Sequence, residues 1–277
     1  MKKQQILAVA LMLTAVVYGQ KRELKKAEKS LEALNYSEAL AYLNDAEAFY
    51  NAMDKSQVVQ FYLIKTEAHL GSGQDVEDNN LNMALEALNQ AKSRGLDKES
   101  QERVNRIVGT LRGVMVNKAI AAQNSENYTR ASDLLTQGYA LSPTDTSFLY
   151  YAAGNLVNGG FFDQALEKYT QLLEMGYTGV REEFYAVSKD TGEEVLFGSK
   201  DERDTAVRFG LYEQARDSKT ASVESDLLQK VTLIYINQGK NDEAIAIMDR
   251  ARAANPGDVN LMRSEADLAY KMGGMEK

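Results

Sequence analysis

An all-α array of helical hairpins is the fold this sequence predicts, and three observations carry the prediction. From Ser225 to Asp258, Leu228, Val231, Thr232 and Tyr235 recur at spacings of three and four, the mark of one helical face. The pattern breaks at Gln238-Gly239-Lys240-Asn241 and resumes with Ala244, Ile247, Met248 and Ala251, until Asn255-Pro256-Gly257-Asp258 stops it. Asp242 and Glu243 open that second helix and Arg250 and Arg252 lie near its end, so both ends suit the helix dipole. The whole is a hairpin of 34 residues. Secondly, an alanine early in a second helix recurs at Ala39, Ala84, Ala131, Ala165 and Ala244. Thirdly, the chain has only two prolines, Pro143 and Pro256, and each lies 12 residues after one of these alanines, where a helix should end.

These residues resemble the tetratricopeptide repeat, whose signature is an apolar, small and aromatic series on the first helix, an alanine early in the second and a late proline. Leu228, Thr232, Tyr235, Ala244, Met248, Ala251 and Pro256 fill those places, while the family's tryptophan is absent. The resemblance implies a right-handed superhelix whose first helices line a concave face that binds a protein or peptide partner.

With the marker alanines as a ruler, Ala131 to Ala165 is 34 residues, whereas Ala39 to Ala84 is 45, Ala84 to Ala131 is 47 and Ala165 to Ala244 is 79. Long helices or insertions are therefore expected at three joints. The first repeat runs from Gln20 to Met53, with Leu24, Ala27 and Leu31 on one helix and Ala39, Leu43 and Ala46 on the other. Phe61, Ile64 and Ala68 mark the next first helix, and residues 71–80 read as an enlarged loop before the helix of Ala84, Leu88 and Ala91. The stripe Val104, Ile107, Val108, Leu111 and Met115 predicts a long helix over Lys98–Gln123, with Gly109 and Gly113 as its weak points. Two cleaner repeats follow, one around Ala119, Ala131, Leu135 and Pro143, the other around Leu149, Ala153, Leu156, Ala165, Tyr169 and Leu172.

Helical periodicity disappears between Gly176 and Glu224. Phe184–Val187 and Val195–Phe197 are β-prone and are separated by Ser188-Lys189-Asp190-Thr191-Gly192-Glu193, which suits a hairpin turn. Lys200–Tyr212 reads as a short helix burying Val207 and Phe209, and Gln214–Ser222 as loop. The domain order expected is thus repeats over 20–179, a small insertion with a β-hairpin over 180–224, and repeats over 225–277. After Asp258 a further first helix carries Met262, Ala266 and Ala269, with a turn at Gly273-Gly274. The next marker alanine would fall at position 278, so the last repeat reads as incomplete and the sequence as truncated at Lys277.

The start, MKKQQILAVALMLTAVVYGQ, has a basic tip, an apolar run from Ile6 to Val17, and small residues at Val17 and Gly19. It reads as a secretory leader over residues 1–19, too short to span a bilayer, with the mature chain beginning at Gln20. A glutamine just after the cut resembles the envelope proteins of Bacteroidetes. The expected address is therefore periplasmic or secreted, with no stable membrane span in the mature chain. Without cysteine, neither lipid attachment at the leader's end nor a disulfide is available.

Composition is ordinary for a globular chain of 277 residues, 44% hydrophobic and 26% charged. With 32 basic and 40 acidic residues the net charge is −8, or −10 once Lys2 and Lys3 leave with the leader. Nucleic acid is a poor partner for such a chain, because phosphate binding needs clustered Lys and Arg. Catalytic constellations are missing too. Asp190-Thr191-Gly192 matches the aspartic-protease triplet, but it is a single copy in a polar setting. His69 is the one histidine, so zinc and nucleophile–histidine sites lack most of their parts. The 40 acidic residues offer many carboxylate pairs and nothing marks one out. No phosphate loop or dinucleotide fingerprint occurs, and neither a cofactor nor a metal is expected.

In the family's register the residues facing the groove would be Tyr62, Thr66 and His69, then Val116, Ile120 and Asn124, then Tyr150, Val157 and Asn158. Gln229, Leu233, Ile236 and Asn237 would follow, and finally Arg263, Asp267 and Tyr270. Relatives that clamp a C-terminal carboxylate use lysines and asparagines there. Tyr150, Gln229 and Gly154 hold the matching places here, so that activity does not carry over. The expected role is an exported scaffold for a protein or peptide; the alternative is a sensing ectodomain of a longer signalling protein.

Overall fold

The computed structural model describes residues 21–73, 75–254, 256–257 and 259–271. The leader, Asn255, Asp258 and the turn expected at Gly273-Gly274 lie outside the described residues. The chain divides after Pro143 into two compact units.

The first unit holds α1 (21–32), α2 (Tyr36–Glu47), a 3₁₀ turn (Tyr50–Ala52), α3 (Lys55–Leu70), α4 (Asp78–Ser93), α5 (Lys98–Asn124) and α6 (Tyr128–Leu141). Leu24 and Ala27 of α1, Leu43 and Ala46 of α2, and Phe61 and Ile64 of α3 meet in one apolar cluster. Each such Leu or Phe contributes about 1.5–3 kcal/mol by leaving water. Local chemistry sets the helix starts. Asp54 and Gln57 form a reciprocal capping box at α3, and Asp97 and Asn127 accept from Ser100 and Arg130 backbone N–H groups at α5 and α6. The long helix runs as its stripe requires: Val104, Ile107, Leu111 and Met115 are buried along a single α5 of 27 residues. Gly109 and Gly113 do not interrupt it. In the enlarged loop, Val76 is buried and α4 begins at Asp78.

The second unit holds α7 (Ser147–Asn158), α8 (Phe162–Glu174), β1 (Glu182–Ser188), β2 (Glu194–Phe197), α9 (Lys200–Arg208), β3 (Tyr212–Lys219), α10 (Glu224–Asn237), α11 (Asn241–Ala254) and α12 (Val259–Lys271). Helices pair as antiparallel hairpins α7–α8 and α10–α11, as α3–α4 and α5–α6 do in the first unit. All five marker alanines are fully buried. Small side chains there let two helix backbones approach closely, which gives these hairpins their tetratricopeptide-like character.

In the insertion, Phe184 pairs with Phe197 and Val187 with Glu194 across the hairpin, and Asp190-Thr191-Gly192 is its exposed turn. Two expectations need correction. Gln214–Ser222 is not loop: β3 pairs antiparallel with β1, giving a three-stranded sheet of order β2-β1-β3. The sequence YEQARDSK lacks apolar alternation, so side-chain pairing stands in for it. Arg216 of β3 reaches over the Tyr185 ring, 4.3 Å away, to pair with Glu194 of β2. Nor does α9 bury its end. Phe209 is 75% exposed and Val207 only half-buried, because the helix docks instead through Arg203. That side chain is almost fully enclosed, bonded to Asp204 and Asp217 and donating to the Tyr185 carbonyl. Charges along β3 and the left-handed backbone of Gln214 protect this free sheet edge against further pairing.

Both ends of the insertion are zipped together. Val223 N–H donates to Thr178 O at 2.7 Å, Thr220 N–H to Arg181 O at 2.9 Å, and Ser222 Oγ to Thr178 O at 3.2 Å. Past it, α12 packs on α10 and α11. Met262 is 54% exposed, and Ala266 and Ala269 follow it along α12.

Candidate functional site

A first helix has one side against its hairpin and one side free to meet a partner, so the question is which residues each helix turns outward. In α3 one expected groove residue needs correction, and the other two are half-buried. Thr66 is fully buried and its hydroxyl donates to Tyr62 O at 2.8 Å. Tyr62 stacks under the Arg94 guanidinium and bonds Tyr50 at 3.1 Å, while His69 Nδ1 lies 3.3 Å from Asn80 Oδ1. Both therefore look toward the elements that flank α3 in the chain. Burial, then the Tyr50 bond, pushes the Tyr62 phenol up to about 12.

The side of α3 that meets α1 and α5 is carried by Gln60 and Glu67, each two residues earlier, a rotation of about 200°. Arg103 of α5 donates to Glu67 at 2.8 Å and to Glu28 of α1 at 3.0 Å, and Gln60 donates to the same Glu28 at 3.3 Å. Beside them a cleft of about 350 Å³ between α1 and α3 is lined by Lys21, Lys25, Asp54 and Ser56. Sequence reasoning missed this charged face because the ruler, Ala84, lies beyond the enlarged loop and no longer indexes α3. We expect Arg103→Met to destabilise the first unit by about 1–2 kcal/mol, since it leaves two half-buried carboxylates facing each other. Urea unfolding checks this, and Glu67→Gln in the same background should restore part of the loss.

His69 gives a pH dependence of known sign. Burial holds its pKa below the usual 6.5, so the unfolded chain takes up the proton first as pH falls. Its contribution is complete above pH 6.5 and is lost below it. Melting temperature should therefore fall between pH 7 and pH 5, and His69→Gln should flatten that slope.

On α5, Val116 is half-buried and Ile120 and Asn124 are exposed. In the second unit, Tyr150, Val157, Gln229, Leu233 and Ile236 are half-buried and Asn158 and Asn237 exposed. Arg263 and Tyr270 are exposed on α12, and the side chain of Asp267 lies outside the described residues. Tyr150 Oη donates to Asp226 Oδ2 at 2.5 Å, and Lys230 pairs with the same carboxylate. Tyr150 also meets Tyr151, Tyr169 and Tyr177, with ring centroids 5.5, 6.4 and 5.8 Å away. Burial, then Asp226, raises the Tyr150 pKa well above the phenol range. Among the described residues no group of three or more His, Cys, Asp or Glu is placed to hold a metal ion, and no helix is long and apolar enough to cross a membrane.

Hairpins of this spacing, with a buried alanine where each pair closes, give the chain a tetratricopeptide-like helical-hairpin fold. No protein-family model matches the sequence, and no curated protein matches it. Among solved structures it is similar to YrrB, described as a TPR protein with an unusual peptide-binding site, at 13% identity over 88% of this chain and 90% of that one, TM-score 0.33. It is similar also to the TPR2AB domain of yeast Sti1 in a pHSP90 complex, at 10% identity over 91% and 97%, TM-score 0.35. PilF of Pseudomonas aeruginosa matches at 10% identity over 91% and 99%, TM-score 0.32.

Proposed function

We propose that this chain is an exported scaffold that binds a protein or peptide segment on the outward sides of its first helices. The observation that carries the reading is that each unit leaves apolar side chains partly exposed among polar neighbours. Val116 and Ile120 of α5 do so in the first, and Tyr150 and Val157 of α7 with Leu233 and Ile236 of α10 in the second. Apolar side chains rimmed by polar groups are the make-up of a recognition face. Display of a random peptide library against the purified protein tests it. Enriched peptides should lose binding to Ile120→Asp combined with Leu233→Asp while the melting temperature stays near wild type; unchanged binding would sink the reading.

Export rests on the leader pattern of residues 1–19. Fused ahead of a reporter that is active only outside the cytoplasm, residues 1–30 should give activity and a mature product beginning at Gln20. A product that keeps Met1 inside the cell would overturn it.

A further inference from the structure

The turn between α1 and α2 carries two costs that its counterparts avoid. Five helix ends close with the same pair of backbone bonds, here Leu34 N–H to Leu31 O at 2.9 Å and Asn35 N–H to Ser30 O at 2.7 Å. The middle residue is left-handed each time, at Leu34, Glu126, Gly160, Gly176 and Gly239. Three of the five are glycine, which takes that conformation without strain, and the glutamate keeps its charge in water. Leu34 sets a branched apolar side chain there, at a φ of +58° and with 70% of its surface exposed. A side chain so exposed adds little to the core. It borders a cleft of about 290 Å³ whose apolar walls are Leu31, Leu34, Tyr36, Leu70 and Ile107. The polar side chains of that cleft are largely spent: Glu67 is held by Arg103 at 2.8 Å, and the Thr110 hydroxyl turns back to Arg106 O at 3.4 Å. What is left over is the Arg106 guanidinium, exposed and without a partner among the described residues.

We propose that this cleft binds an unbranched alkyl carboxylate, a free fatty acid of medium length, with its chain against Leu31, Leu34 and Ile107 and its head group on Arg106. The walls take the chain because burial there removes apolar surface of both partners from water, including that of the exposed Leu34. A guanidinium matches a carboxylate with two parallel N–H donors, and Glu67 does not oppose the anion because Arg103 already neutralises it. A peptide would bring amides that these apolar walls leave unsatisfied, whereas an alkyl chain brings none. The site is separate from the outward side chains of the scaffold reading, and the two stand or fall independently.

NMR titration of the ¹⁵N-labelled protein with octanoate, 1-octanol and octyltrimethylammonium tests this. Octanoate should shift the amide signals of Leu34, Gly71 and Thr110 and bind more tightly than the alcohol, with the ammonium weakest. Arg106→Gln should weaken octanoate about tenfold, the worth of one charge-assisted hydrogen bond, and leave 1-octanol unchanged. Leu34→Gly should weaken the acid and the alcohol alike while melting at or above wild type, because it puts in the left-handed turn the residue that such a backbone favours. A lower melting temperature for Leu34→Gly would show that the leucine serves the fold, and the proposal would fall. It would fall equally if those three amides stayed still, if the three head groups bound alike, or if Arg106→Gln kept its affinity for octanoate. Signals of the cleft that move with protein concentration in the absence of octanoate would assign the cleft to a second copy of the chain and overturn the proposal too.

Discussion

Gly179→Ala should lower stability by about 2–5 kcal/mol and unzip the base of the insertion, the largest single effect expected in the second unit. Two costs add at this residue. Its φ of +67° lies in the left-handed region, where a side chain costs about 1–2 kcal/mol. Any Cβ would also fall well inside van der Waals contact with Val223 Cγ2 and press on Tyr177 Oη at 3.3 Å and Cζ at 3.4 Å, adding about 1–3 kcal/mol for forced overpacking. Val223 cannot give way cheaply, because its N–H is the donor that closes the neck on Thr178. Gly176→Ala is the control: it has the same φ of +67° but nothing within 4 Å, so it should lose only the backbone part. Chemical unfolding compares the two, and amide exchange should show β1 and β3 opening in Gly179→Ala. Equal losses in the two variants would mean that the neck is not closed as described.

That neck illustrates what can and cannot be read from the chain. Helical periodicity and the alanine spacing depend on nearest neighbours along one helix, so α5, the hairpins and the β1–β2 turn are legible in the residues themselves. β3 is not, because an edge strand of Glu, Gln, Arg, Asp and Lys announces itself only through partners on β1, β2 and α9. Arg203 misleads in the same way: a charged residue in a polar helix gives no local sign that it will be buried against Asp217. Thr66 of α3 misleads because the enlarged loop between α3 and Ala84 leaves the alanine ruler without a fixed phase on that helix, and two residues turn a helix more than half a revolution. Tyr169 reads as core from its spacing, and so it is. That its hydroxyl finds no hydrogen-bond partner is a matter of three-dimensional placement that no spacing encodes.

Enlarging the marker alanines tests the register itself. Ala131, Ala165 and Ala244 are each fully buried where α6, α8 and α11 close on their first helices. Leucine adds three carbons to a space that holds a methyl group. The helices must part or neighbouring rotamers must strain, at about 1–3 kcal/mol for each substitution. Ala165→Leu should be the worst of the three, because the neighbouring turn carries fully buried Tyr169 and Leu172 and has little room to repack. Ala41→Leu, exposed on α2, is the control and should stay within about 0.5 kcal/mol of wild type. Repeat proteins are stabilised mainly by nearest-neighbour interfaces, so each loss should be local. Amide exchange should quicken in α5 and α6 for Ala131→Leu and in α7 and α8 for Ala165→Leu, before it does so elsewhere. If Ala165→Leu melts like Ala41→Leu, the α7–α8 hairpin does not close on this alanine, and the register built on it fails.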